Sequence, residues 1–535
     1  MERSLYYGSL IIILMRTVTR TKTIKGIDYL YEITYYYDKA SKRTRQHSRY
    51  LGKAVDGKPV KVREIAGTPK MALSYGEFLP CFSAGEEYDL EHRLGVYLSE
   101  QEVQAVLALA YNRVIRPLAM HHIASWYQGT VLAEKYPHLP LSSQSLSNLL
   151  VKVGQEAIPF KFFQDLISQL SSHDTLFYDI TSISSYTSAI QFFEYGHNRD
   201  GRHVPQVNLS LVVDKMRGIP IFYDLYPGSI VDVSTLKNTL EKIKALEVTG
   251  STLILDRGFC SGANLKALID HRFQFIMPAS RSFKVVKQTL SQLHRTITHS
   301  KNLQMFKEKA LFTEPVSLEI EKITFKGYGY YSPHREQEER ERFYQKLRAT
   351  VKYLEDFDLK PYMKPKEVFE RHAGYLKAYL SWKVIDGRFV ITIRDKAVSQ
   401  QVNKLGLFIL LYDGEFTWDE CLSLYRSRDL VERSFDILKN DLDVMPLNVK
   451  KRESLCGLLF ISFLSLLIRM HILKQLQETE LIKTCSLERL FLELEKVRWV
   501  VLPENKFLIT EIGKKQRHLL DTLNIAPEVR NYVRT

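Results

Sequence analysis

With 535 residues the chain is too long for one compact core, so about two to four domains are expected. Its 45% hydrophobic and 25% charged residues are ordinary values for a soluble globular protein, and 75 Lys and Arg against 61 Asp and Glu leave a formal net charge of +14 that favours polyanionic partners. The five cysteines, Cys81, Cys260, Cys421, Cys456 and Cys485, form no C-x-x-C pair, which excludes a zinc ribbon or a disulfide framework and fits a reducing cytoplasm.

In chain order, the apolar run Ser9 to Met15 has Glu2 before it and basic residues, not a small-residue cleavage site, after it, so it does not read as a secretory leader. Met1 and Met15 both stay open as the start. Residues 1–55 alternate tyrosines with polar residues (YLYEITYYYD) and then turn basic, predicting a small basic β-meander whose strands could grip a phosphate backbone or simply carry a solvated charge run. The Gly- and Pro-richer stretch 56–98 reads as a linker. From 99 to 172 the period is helical, opened by the capping box Ser99-x-x-Glu102, and this region is expected to bind DNA.

Residues 173–281 carry three strand-like runs (TLFYDITSISSY, HVPQVNLSLVVD, IPIFYDLYPGS), then helix, strand, helix and strand. That order is the order of a ribonuclease H-like mixed α/β sheet. An insertion domain is expected over 282–416, with a charged helix at 334–356 and a hairpin turning at Asp386-Gly387. The core then resumes over 417–475 from a second capping box, Thr417-x-x-Glu420, and 476–535 reads as a C-terminal helical tail. The apolar run Leu455 to Ile468 predicts a buried helix, and no membrane partner is expected.

Three acids stand out within this frame. Asp179 lies inside the first strand and Asp256 ends the fourth, both among apolar neighbours where a carboxylate is costly unless paired or metal-bound. In this topology the two strands adjoin, so the acids would face one another; taken singly, each reads equally well as a strand-end cap or an arginine partner. On one continuous helix Tyr425, Arg428, Glu432 and Lys439 fall within an arc about 60° wide, beside an apolar stripe of Leu424, Val431, Phe435 and Leu438. The plain alternative is a surface salt-bridge ladder built on the Arg428–Glu432 pair. Phosphodiester chemistry explains the set differently: two divalent ions held by hard carboxylate oxygens activate a nucleophile and stabilise a leaving group, while cations and a phenol hold flanking phosphates. Glu194, Asp200, Asp214, Asp224 and Asp232 read as solvated turn or strand-end residues, and His197 and His203 as part of a basic hairpin.

The segment Tyr425-x2-Arg428-x3-Glu432-x6-Lys439 resembles the Y-R-E-K signature of a large group of bacterial insertion-sequence transposases, the insertion-sequence family 4 group. DITS at 179–182 and DRGF at 256–259 are similar to that group's first two catalytic motifs, and the likeness covers roughly 174–281 and 385–470. The resemblance implies a ribonuclease H-like domain with Asp179, Asp256 and Glu432 as catalytic metal ligands for two Mg2+ or Mn2+, and Tyr425, Arg428 and Lys439 as DNA-binding residues. It further implies strand cleavage at terminal inverted repeats, strand transfer into target DNA and a homodimer in the synaptic complex. A nuclease or resolvase that only hydrolyses DNA and a non-catalytic DNA-binding relative are the alternatives. Some members of the group hold a flipped base on an aromatic near the insertion, for which Trp382 and Trp418 are candidates, each reading also as a packing tryptophan.

Overall fold

The computed structural model describes residues 13–24, 27–38, 43–55, 58–59, 69–168, 175–184, 193–195, 204–230, 232–246, 248, 250–442, 449, 451–503 and 506–527. His197, Asp200, His203 and most of the apolar N-terminal run lie outside them. The chain divides into two compact units, one of residues 1–71 with 501–506 and 534–535, the other of 72–500 with 507–533.

The first unit is an antiparallel meander of Ile13–Ile24, Ile27–Asp38 and Arg43–Val55, with a short strand at Lys58–Pro59. Cross-strand pairs supply its cohesion: Tyr31 meets Tyr50 at 5.5 Å between ring centroids, and Thr17 faces Thr34. Leu30 is the one buried apolar side chain among the described residues of the meander.

In the second unit nine strands form one mixed sheet among the described residues. They are numbered here in chain order: β1 Thr175–Ser184, β2 Gln206–Asp214, β3 Ile219–Pro227, β4 Thr252–Ile254, β5 Gln274–Pro278, β6 Leu303–Phe306, β7 Lys309–Ile320, β8 Ile323–Tyr331 and β9 Leu407–Asp413. Their spatial order is β6-β7-β8-β9-β5-β4-β1-β2-β3. β1 runs antiparallel to β2 and parallel to β4, with Leu176 opposite Leu253. Helix α1 (Asp232–Ala245) joins β3 to β4 and α2 (Gly262–Asp270) joins β4 to β5. β1 and β2 are buried along nearly their whole length, as near-continuous apolar runs covered on both faces must be.

Several expectations need correction. Residues 71–98 are no linker: a strand at Met71–Ser74 and helices at Leu79–Glu87 and Leu90–Gly95 bury Leu73, Phe78, Leu79, Leu90 and Leu94, and Pro80 sits in a helical first turn where its missing N–H costs nothing. The stretch 282–416 is not a separate domain either. After α3 (Lys284–Thr296), strands β6 to β9 extend the main sheet, with Tyr328 opposite Leu410 and Ile276 opposite Tyr412. Only its middle, containing α4 (Pro333–Asp356) and the hairpin Leu380–Ile385/Arg388–Ile393, has its own small core of Phe343, Leu347, Phe369, Leu380 and Phe389. The segment after 476 mixes helices Leu487–Leu494 and Lys514–Thr522 with strands Arg498–Val501 and Phe507–Ile509. Asp214 and Asp224 are not solvated: Asp214 is buried against Arg217 at 2.7 Å, and Asp224 bonds Lys242 at 2.8 Å.

The chain from Thr417 does not form one helix. The capping box is present, with Thr417 N donating to Glu420 at 2.8 Å, but α5 (Trp418–Arg426) stops, α6 (Asp429–Asp436) begins with Arg428 in its N-cap position, and a π-helical turn follows at Ile437–Asp441. Behind it lies α7 (Arg452–Glu478), long and apolar enough to cross a membrane, yet with 89% of its apolar window buried inside the unit. Two glycines let α7 lie against the helix Ser143–Val153 backbone to backbone: a Cβ on Gly457 would stand 2.0 Å from the Leu150 carbonyl oxygen, and one on Gly154 would stand 1.9 Å from that of Glu453. Gly457→Ala is therefore expected to lower stability by about 3 kcal/mol through forced separation of the two helices, read as a shifted midpoint in urea denaturation.

Candidate active site

Asp179 sits in the middle of β1, opposite Leu211 of β2, with its side chain 8% exposed. Asp256 follows β4 by two residues and opens the short 3-10 turn Arg257–Phe259. Because β1 and β4 are parallel neighbours, their carboxylates emerge on adjoining strands at the same end of the sheet. Helix α6 packs over β1 and β2 through buried Val431 and Phe435, which leaves Glu432 at its exposed edge.

The three acids converge on one guanidinium. Arg428 Nη1 donates to Asp179 Oδ2 at 3.2 Å, and Nη2 lies 2.5 Å from Glu432 Oε1 and 3.8 Å from Asp256 Oδ1. Arg428 stands at the break between α5 and α6, from where it reaches both Glu432 one turn on and Asp179 of β1. Burial acts to lower the Arg428 pKa and is outweighed chiefly by the charges of Asp256 and Asp179, with Glu432 adding to them, so the net shift is upward. Glu432 is the nearest acid yet counts least because it is half exposed and screened by water. Tyr425 completes the group: its ring centre is 5.9 Å from the Arg428 guanidinium carbon. Burial, then Asp256, pushes its phenol pKa up, so it stays a neutral hydrogen-bond donor.

Five of the six expected residues thus meet: Asp179, Asp256, Glu432, Arg428 and Tyr425. Lys439 is half-buried in the π-helical turn beyond α6, where a count at 100° per residue no longer applies. That turn is fixed from behind, as Arg469 of α7 reaches Asp441 at 2.8 Å and Arg113 donates to the Leu442 carbonyl at 2.9 Å. Sequence reasoning missed these two buried arginines. It also missed Arg426, whose proximity in Tyr425-Arg426-Ser427-Arg428 was the available signal. Trp382 is packed between Phe369 and Phe389, and Trp418 starts α5 with its carbonyl accepting from Tyr330, so both serve packing.

As they stand, no three His, Cys, Asp or Glu among the described residues are close enough to cage a metal. The donor set nevertheless suits a hard dication: three carboxylates surround a single cationic group that stands where positive charge is required.

A model of the transposase DDE domain matches residues 170–468, more than half of the chain and the whole span from Asp179 to Glu432. The protein is a DNA transposase. It belongs to the transposase DDE domain family. No curated protein matches it. Among solved structures it is similar to the piggyBac transposase synaptic complex with hairpin DNA, at 11% identity and a TM-score of 0.38 over 84% of this chain and 86% of that one, a likeness too loose to bear on fold or function.

Removal of the shared cation tests the electrostatics directly. Arg428→Leu is expected to cost about 3 kcal/mol in chelator by taking a charged partner from the buried Asp179. Adding Asp179→Asn to that variant should restore part of the loss, giving a coupling of at least about 1 kcal/mol in a double-mutant denaturation cycle. Strictly additive effects would mean that the pair does not interact.

Proposed function

We propose that Asp179, Asp256 and Glu432 form the catalytic site on a ribonuclease H-like core, and that this transposase cuts and joins DNA there. The single observation that carries the reading is the convergence of these three carboxylates on Arg428, inside the region matched by the family model. The family generally uses divalent metal ions; here the three acids would hold two Mg2+ or Mn2+. Such ions, when bound, activate an oxygen nucleophile and stabilise the oxygen that leaves.

The chain's own residues account for the rest of the chemistry. In cleavage, a water oxygen attacks phosphorus at the element end, the bond from phosphorus to the 3′-oxygen breaks, and a 3′-hydroxyl and a 5′-phosphate result. In strand transfer that hydroxyl attacks a target phosphodiester and displaces the target's own 3′-oxygen. Arg428 and Lys439 supply positive charge for the phosphates beside the scissile one, and the neutral Tyr425 phenol donates a hydrogen bond. The basic, tyrosine-bearing strands of the first unit and the helices between 99 and 172 are the proposed contacts to terminal inverted repeats, with a homodimer bridging two ends. The insertion-sequence family 4 group remains the subgroup proposed, on the Y-R-E-K spacing.

With a labelled duplex carrying the element's end sequence, a plasmid target and Mg2+ or Mn2+, both cleavage and joined product are expected. Asp179→Asn, Asp256→Asn and Glu432→Gln should each lower both by roughly a thousandfold or more while retaining DNA binding. Cleavage without any joined product would favour a purely hydrolytic enzyme, and full activity in any of the three variants would remove that residue from the site.

A further inference from the structure

A second basic feature lies beside the carboxylates. Between the β6–β7 hairpin, the start of α4 and the end of α5 is an open cavity of about 440 Å³, within the size range of small-ligand sites. Its walls carry four permanent cations, Lys309, Arg335, Arg342 and Arg426, against two carboxylates, Glu338 and Glu339. Glu339 is already committed: it accepts from Arg335 Nε at 2.7 Å and from the Gly406 N–H at 3.0 Å. Glu338 faces His334 at 3.4 Å. Among the described residues no carboxylate lies within ion-pair distance of Lys309, Arg342 or Arg426; Arg426 is laid over the Phe306 ring at 4.7 Å, and Lys309 stands 3.4 Å from His334 Nε2.

Cations gathered without counter-charges repel one another. The Arg426 guanidinium is pushed below its ordinary pKa by burial and by Arg335. A fold tolerates such a cluster cheaply only where an anion joins it. The location selects the anion. Arg426 is two residues from Arg428, and the neighbouring Tyr425 phenol feels the charges of both Asp256 and Arg335. The cavity and the carboxylate cluster are therefore electrostatic neighbours on the same helix end.

We propose that this cavity is a phosphate-binding subsite that holds the DNA backbone next to the scissile phosphodiester, with Lys309, Arg342 and Arg426 as its ligands and the Phe306 ring as the platform that keeps Arg426 extended. The inference rests on the transposase reading and adds to it a site outside the Y-R-E-K positions. Its service is positional: it fixes the strand beside the acids and carries no base information.

The test is binding of a fluorescent 20-base-pair duplex without metal, followed by anisotropy across a salt series. Each phosphate contact contributes about −0.9 to the slope of log K against log salt. The triple variant Lys309→Gln, Arg342→Gln, Arg426→Gln should flatten the slope by about two and weaken binding at least tenfold at low salt. The charge-retaining triple Lys309→Arg, Arg342→Lys, Arg426→Lys should keep the wild-type slope. So should a control triple at exposed lysines elsewhere, Lys237→Gln, Lys266→Gln, Lys352→Gln. If wild type binds the duplex and the pocket triple matches the control triple, the subsite is overturned while the transposase reading stands. If wild type shows no salt-dependent binding to duplex DNA, both fall together.

Discussion

Mutual repulsion of carboxylates is the constraint around which this structure is arranged. Carboxylates gathered about one point repel one another, and here three lie within 3.8 Å of a single guanidinium. Arg428 is what lets them gather. Its two terminal nitrogens reach a buried acid on a strand, an acid at a strand end and an acid on a helix. The same arrangement states what can replace it: positive charge must be present, and a hard dication bound to oxygen satisfies that need more strongly than a guanidinium. Arg428 thus acts as the counter-charge of the three acids, and in the proposed mechanism it turns to phosphate when ions and DNA bind.

Holding an arginine at that point demands that the helix bearing it be bent and then fixed. The bend lies at Ser427–Arg428, between α5 and α6, and the fixing lies further on in the π-helical turn. Asp441 and the Leu442 carbonyl in and after that turn are held by Arg469 and Arg113, two arginines buried among apolar helices. Arg469 lies on α7 itself and Arg113 on the helix Glu100–Ile115 packed against it, while Gly154 and Gly457 let α7 close on the helix Ser143–Val153. A chain of contacts therefore runs from a glycine-mediated helix crossing, through buried charge pairs, to the placement of Glu432. None of these supporting residues touches the acids.

How much of this the sequence displays depends on the range over which each feature is decided. The run of three strands, helix, strand, helix and strand is decided by local periodicity and appears in the fold as β1 to β5 with α1 and α2. The Asp386-Gly387 turn is equally local, and both residues adopt positive φ, 49° and 75°. Partner choice is not local. Alternation at 303–331 and 407–413 marks strands but cannot say that they extend the main sheet, which is settled by edge pairing between β5 and β9. The break at Ser427–Arg428 carries no Pro or Gly, so nothing local in the sequence marks it. Residues 71–98 look loose because their Gly and Pro serve close packing that only distant segments reveal. At Gly76 the approaching group is the Leu494 carbonyl.

The positive charge of the chain also gains a finer meaning from its placement. An overall excess of +14 predicts attraction to a polyanion and nothing about where it lies. Around the acids the cations fall into two kinds. Arg428 is satisfied by carboxylates and so can leave them only when something neutralises their charge. Lys309, Arg342 and Arg426 have no carboxylate within ion-pair distance among the described residues and are ready for phosphate at once. On the proposed reading, a strand bound at these cations brings negative charge that raises the need for positive charge among Asp179, Asp256 and Glu432. On that proposed reading backbone capture and the assembly of the three-carboxylate site are coupled through electrostatics, without requiring any large movement of the fold.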